Sequence, residues 1–266
     1  MPVIIAHGQP KSGSTFLFET AKELREIRDG DDHKLALREC LGPRFHPFQP
    51  RIDRPLLEDI LAKAGDRTLV IKTHGALDGE VRSMIESGRI RAFTSFRDPR
   101  DACLSMLDAG VLDRAKGRTR WFATKTMMQE LIEPILYHLK DLEGWIACPP
   151  VLAIPYYLIA HHQDHAVRLL CAHLGQGALG SVVAARMQAR KSTVVEFNKG
   201  VTDRFLTGFS TEEIGYLNTR MAPQIQRYER LLARKMIQYG HRLLYCHLIA
   251  IRNRELALHN LLPDRG

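Results

Sequence analysis

The 266-residue chain is 45% hydrophobic and carries 38 Lys and Arg against 30 Asp and Glu, a formal charge of +8 at pH 7. That is enough for one large domain or two small ones, and a single domain is expected. No signal-peptide pattern opens the sequence and no stretch reaches the roughly 18 apolar residues of a membrane span, so a cytoplasmic protein with no membrane partner is expected. Cys40, Cys103, Cys148, Cys171 and Cys246 are scattered without a C-x-x-C pair, which predicts reduced thiols and neither a disulfide framework nor a zinc site. The basic excess could serve nucleic acid, an anionic surface or a small polyanion. Its charges alternate with acids along the chain and form no stripe interleaved with aromatics, so a solvated basic surface is expected for most of them.

The first apolar run, residues 3 to 6, reads as a buried strand, and Leu17, Ala21, Leu24 and Ile27 then mark one face of a helix that Asp29 and Gly30 end. Between them lies PKSGSTF, residues 10 to 16. Gly8 and Gly13 have the spacing of a nucleotide-binding loop, but Ser14 stands where that pattern has its lysine, and Lys11 sits inside the loop. Backbone N–H groups, the helix N-terminus and the hydroxyls of Ser14 and Thr15 suit an anion. Residues 31 to 60, with Gly42, Pro43, Pro47, Pro50 and Pro55, read as a long excursion with little regular structure.

Further buried strands are predicted at 68 to 72, 90 to 96 and 151 to 156. The second ends in KTH, where His74 is a candidate base and Lys72 would keep it neutral. The third ends at Arg97, followed by a helix with Asp98 as N-cap, Pro99 in its first turn and Gly110 as its stop. Arg97 and that helix's N-terminus make a second candidate anion site, and Ser105 falls two turns on, over a similar face. Residues 112 to 150 read as helix and then loop, a candidate wall for an acceptor, with Trp121, Phe122, Met127 and Met128 read as core. HHQDH places His161 and His165 at a spacing able to hold a metal, but no third ligand accompanies them, and a solvated helix face is expected. Ser210 to Glu213 is a capping box, a further helix begins near Gln224, and residues 247 to 266 read as a C-terminal extension. Alternation of strands and helices predicts an α/β fold with a mostly parallel sheet, whose ligands lie beyond the carboxyl ends of the strands.

Two separated anion sites flanking a base describe a ligand with phosphates at two ends. PKSGST, KTH and FRDPRDACLS together resemble the motifs of sulfotransferases that use 3′-phosphoadenosine 5′-phosphosulfate (PAPS), in the same order and with the same interval from Arg97 to Ser105. The likeness continues through VLAIPYYLIA and FNKGVTD, over roughly residues 2 to 245. It implies a P-loop-like three-layer α/β fold and in-line transfer of a sulfuryl group from PAPS to a small-molecule or glycan hydroxyl acceptor, with 3′-phosphoadenosine 5′-phosphate (PAP) as product and no metal. It further implies that Lys11, Ser12, Gly13, Ser14 and Thr15 hold the 5′-phosphosulfate, that Phe16 and Tyr156 lie against the adenosine, and that Arg97, Ser105, Lys199 and Gly200 bind the 3′-phosphate. His74 would be the base, with Lys11 and Lys72 assisting catalysis. Asn198 replaces the arginine that precedes Lys199 in the family motif, with Arg190 and Arg204 as candidate substitutes. A nucleotide-dependent kinase, with Asp98 as its metal-binding carboxylate, and a basic nucleic-acid-binding module are the alternative readings.

Overall fold

The computed structural model describes residues 3–190 and 200–240. Lys199, Asn198, Cys246 and the extension from 247 onward lie outside the described residues. Four parallel strands, β1 (Val3–His7), β2 (Leu69–Thr73), β3 (Arg91–Phe96) and β4 (Leu152–Pro155), form one sheet in the order β2-β1-β3-β4. Ile5 pairs in register with Ile71 on one side and Ala92 on the other. The chain winds outward from β1 in both directions, so the switch point of the sheet lies between β1 and β3, where α/β folds open their ligand crevice.

Helices cover both faces. Strand residues alternate sides: Ile4 and Ala6 pack with α1 (Ser14–Asp29), α8 (Gln163–His173) and α9 (Gly180–Ala189), while Val3 and Ile5 pack with α2 (His33–Leu41), α3 (Arg54–Ala64) and α4 (Gly79–Glu86). A third cluster gathers Phe96 with α5 (Pro99–Ala115), α6 (Gln129–Ile146) and Ile225 of α12 (Ala222–Gln238). The result is an α/β fold with a central parallel sheet flanked by helices, as the alternating pattern predicts.

The excursion expected at 31 to 60 holds two helices. Asp32 and Asp53 cap α2 and α3 by accepting from the backbone N–H groups of Leu35 and Leu56, and Pro55 lies in the first turn of α3. Proline there starts a helix because the N–H it lacks has no intrahelical partner anyway. Only the segment between the helices is irregular, and it docks on the free edge of β2, where the Lys72 N–H donates to the Pro47 carbonyl and the Gln49 N–H to the Lys72 carbonyl, both at 2.8 Å.

Gly110 does not stop α5, which runs on to Ala115. A Cβ at Gly110 would lie 2.4 Å from the Phe122 carbonyl oxygen, so the glycine admits the short 3-10 turn Trp121–Thr124 against the helix. The capping box forms as expected, with Ser210 and Glu213 bonding each other's backbone at the start of α11 (Thr211–Arg220). The chain leaves β4 straight into α7 (Tyr156–His161), so Tyr156 is a first-turn residue and not the last of a strand. His162 interrupts the helix at φ −134°, which puts His161 and His165 on different helices and removes the one-face spacing a metal pair needs. Among the described residues no helix is long and apolar enough to cross a membrane.

Candidate active site

The ends of the four strands surround a cavity of about 520 Å³, within the usual range for small-molecule sites. The loop after β1 supplies one wall. Lys11 and Gly13 both adopt positive φ, 65° and 84°, a curl that turns successive N–H groups toward one side. Gly13 is required twice over: its φ is left-handed, and a Cβ would lie 2.9 Å from Ile159. Lys11, Gly13, Ser14, Thr15 and Phe16 all line the cavity. Ser12 does not. Its hydroxyl donates to the Gln9 carbonyl and meets the Ser95 hydroxyl, both at 2.6 Å, and its N–H also bonds to Gln9. Ser12 thus forms an internal stitch that holds the loop to β3.

The β2 end supplies Lys72 and His74. The Lys72 ammonium donates to the Thr15 hydroxyl at 2.7 Å, tying the second strand to the anion loop. His74 Nδ1 donates to the Gly8 carbonyl, which leaves Nε2 as the basic nitrogen of the ring. Burial, and then the Lys72 charge, hold the imidazole down to about 3, so it is neutral at physiological pH. Behind it His7 is fully buried, bonded through Nδ1 to the Thr94 hydroxyl at 2.7 Å and stacked on Trp145 at 4.6 Å. Trp145 donates in turn to the Gly75 carbonyl at 2.9 Å, fixing the backbone beside His74.

At the β3 end, Arg97 is buried yet lines the cavity. It donates to the carbonyls of Lys11 and Val201 at 3.2 Å and to Asp101 at 3.4 Å, and lies 4.0 Å over the Tyr156 ring. Its Nε is buried and has no partner among the described residues. An orphaned guanidinium N–H beside Ser105 is what a phosphate oxygen would satisfy. Asp101 also accepts from the N–H groups of Asp203 and Phe205, so it docks the segment after 200 onto α5 next to Arg97. Gly200 itself is outside the cavity lining, with φ 62°. Arg190 pairs with Glu23 and Arg204 with Asp108, so both candidates for replacing the Asn198 position are engaged elsewhere.

Asp98 is turned away from the cavity: it caps α5 and binds the Arg100 guanidinium at 2.8 and 3.0 Å. It is thus spent on structure where a kinase would present it to a metal. The surface charges pair at helical spacing, as in Lys63 with Asp59 and Arg168 with Asp164, consistent with a solvated basic surface.

No protein-family model matches the sequence, and no curated protein matches it significantly. Solved structures do. Mouse sulfotransferase SULT7A1, crystallised with PAP, superposes with a TM-score of 0.54 at 16% identity, over 85% of this chain and 89% of the other. Retinol dehydratase, crystallised with retinol and PAP, superposes with a TM-score of 0.52 at 14% identity, over 83% and 80%. The chain has the sulfotransferase fold.

Within that fold the remaining wall of the cavity comes from the excursion at 31 to 60 and from the candidate acceptor wall at 112 to 150. Phe48 and Pro50 arrive from the loop on the β2 edge, and Trp121, Phe122, Pro134, Tyr137, His138 and Asp141 from the 3-10 turn and α6. Trp121, 48% exposed, is therefore cavity and not core, while Phe122 lines the cavity and also packs against the third core cluster; of the two methionines only Met128 is buried, Met127 being 59% exposed. His138 and Asp141 escape motif reasoning because nothing near them in the sequence is distinctive. The signal that finds them is periodic: Pro134, His138 and Asp141 fall at i, i+4 and i+7, a stripe beside the buried Leu131, Ile135, Leu139 and Leu142.

Proposed function

We propose that this chain is a PAPS-dependent sulfotransferase that moves a sulfuryl group to a hydroxyl acceptor, with His74 as the base. The observation that carries the reading is the pairing of two cationic strand ends, Lys11 with Lys72 and Arg97 with Ser105, on either side of a histidine whose tautomer is fixed by Gly8. PAPS supplies the sulfuryl group, whose bond to the 5′-phosphate oxygen breaks as the acceptor oxygen bonds to sulfur. Lys11, the N–H groups of the curled loop and the first turn of α1 hold the phosphosulfate end, and Lys11 neutralises the charge that collects on the departing oxygen. Arg97, through its orphaned Nε, and Ser105 hold the 3′-phosphate, while Phe16 and Tyr156 border the base. Lys199 and Gly200 belong to the same reading as further 3′-phosphate contacts.

His74 Nε2 takes the acceptor proton. The low basicity it has beside Lys72 rises when anionic groups enter, since their charge opposes that of the lysine, so the base is strengthened when its cosubstrate is present. The test is calorimetric titration with PAP and, separately, ATP with magnesium. PAP should bind and ATP with magnesium should not compete with it. Lys11→Ala and Arg97→Ala should each weaken PAP roughly tenfold to a hundredfold, the range for lost hydrogen bonds to charged groups. Unchanged affinity in both variants would remove the assigned pocket.

A further inference from the structure

The cavity is lined by Lys11, Lys72 and Arg97, a set of charges suited to a polyanion, and by one carboxylate. Asp141 is the single acid among the described residues that line it. Its residue is only 8% exposed and its Oδ2 has no hydrogen-bond partner among the described residues; Nδ1 of His138, one turn earlier on α6, has none either. Leaving buried polar atoms unpaired costs stability, and a carboxylate in a pocket built for sulfate and phosphate would repel both. Burial pushes the Asp141 carboxyl up, and the neighbouring His138 only partly offsets this.

Its surroundings fit one chemistry. Phe48, Phe122, Tyr137 and His138 line the same cavity, and aromatic faces in a cavity that holds a carboxylate favour a cation. The position fits as well. The His138 ring lies 6.3 Å from that of His74, and Asp141 is a further helical turn along the same stripe. A molecule whose hydroxyl reaches His74 and whose body runs along this stripe would bring its far end to Asp141.

We infer that the acceptor is a hydroxyl compound carrying a protonated amine, with Asp141, one helical turn beyond His138, receiving the amine. The inference rests on the sulfotransferase reading only for the role of His74. Asp141 here is a specificity-determining residue that makes an ion pair with the acceptor and takes no part in the proton transfer.

The test uses the full chain saturated with PAP and titrates three probes of one shape: tyramine, tyrosol, which has a hydroxyl in place of the amine, and 4-ethylphenol, which has neither. At pH 7 tyramine should bind at least about tenfold more tightly than 4-ethylphenol, the difference expected of a charge-assisted contact. Asp141→Asn should bring the ratio to within about twofold while PAP affinity is retained. A wild-type ratio near one overturns the inference, as does a preference that survives in Asp141→Asn, or failure of all three probes to bind. Tightest binding by tyrosol would also overturn it, making Asp141 an acceptor for a neutral donor. If PAP itself does not bind, the sulfotransferase reading has failed, and the same ratio measured on the free protein still decides the amine site.

Discussion

His74 acquires its character from neighbours that no short stretch of sequence brings together. The Gly8 carbonyl at the end of β1 takes its Nδ1 proton, Lys72 lowers its basicity, and His7 with Trp145 closes the space behind it. Each of these fixes orientation or charge, and His74 offers its Nε2 beside the anion loop. Truncating it should therefore separate chemistry from binding. His74→Ala is expected to lower turnover by about 10² to 10⁴, the usual contribution of a positioned acid-base group, while PAP affinity stays near that of the wild type. Single-turnover transfer measured beside calorimetry checks this, and a variant with full turnover would exclude His74 as the base. Lys72 is a poorer probe of the same step, because its bond to Thr15 also braces the anion loop.

At the scale of elements, the most informative contact joins α5 to the 3-10 turn that carries Trp121 and Phe122. Gly110 lets the turn approach so closely that an added methyl would sit 2.4 Å from a backbone oxygen. Backbone cannot yield as a side-chain tip does, so Gly110→Ala should displace the turn and cost about 1 to 3 kcal/mol of stability, the range for overpacking. Because the turn lines the outer cavity and meets the anion loop only where Lys11 lies 5.6 Å over the Phe122 ring, acceptor binding should weaken more than PAP affinity. Denaturant unfolding and paired titrations test both halves, and equal losses for the two ligands would contradict the assignment of this wall. The same glycine shows where sequence reading stops. A glycine after a helical pattern ordinarily marks its end, and only the turn packed against it, eleven residues on, explains why the helix continues. Strands β1 to β4, the α1 and α5 helices and the capping box were legible because short apolar runs, caps and prolines are local signals. The helices within 31 to 60 were obscured by counting Pro55 as a breaker when Asp53 had made it a first-turn residue. Lys11, Lys72, His74 and Arg97 were legible because each closes a strand at the crevice. His138 and Asp141 were not, since their meaning depends on which side of α6 faces the sheet.

Across the whole molecule, the buried histidines set a pH dependence that the basic surface does not. His33 accepts from the Val70 N–H inside the core and is held down to about 3, chiefly by burial; His74 is held to a similar value, and His7 is lowered well below its ordinary range by the same cause. Each is neutral when folded and takes up a proton when unfolded below about 6.5, so each favours the folded state above that pH and favours unfolding increasingly as pH falls below it. The slope is about 1.4 kcal/mol per pH unit for each such group. Asp203 acts in the opposite sense. Burial first, and then Asp98 and Asp101, push its carboxyl up to about 6, so the folded state holds a proton there that the unfolded chain has lost, a stabilisation present in acid and lost as pH rises through 6. Asp101, Asp141 and Glu229 are raised as well and act with it, while His138, His161 and His173 are lowered and act with the three histidines, which therefore set the sign. Stability should consequently fall by several kcal/mol between pH 6.5 and 5, and His33→Gln, which keeps an acceptor for Val70 but cannot gain a proton, should flatten the profile. Urea midpoints measured at half-unit steps of pH would show it. A profile level across this interval would mean that the three histidines take up protons in the folded protein as readily as in the unfolded chain, and that burial does not hold His74 neutral.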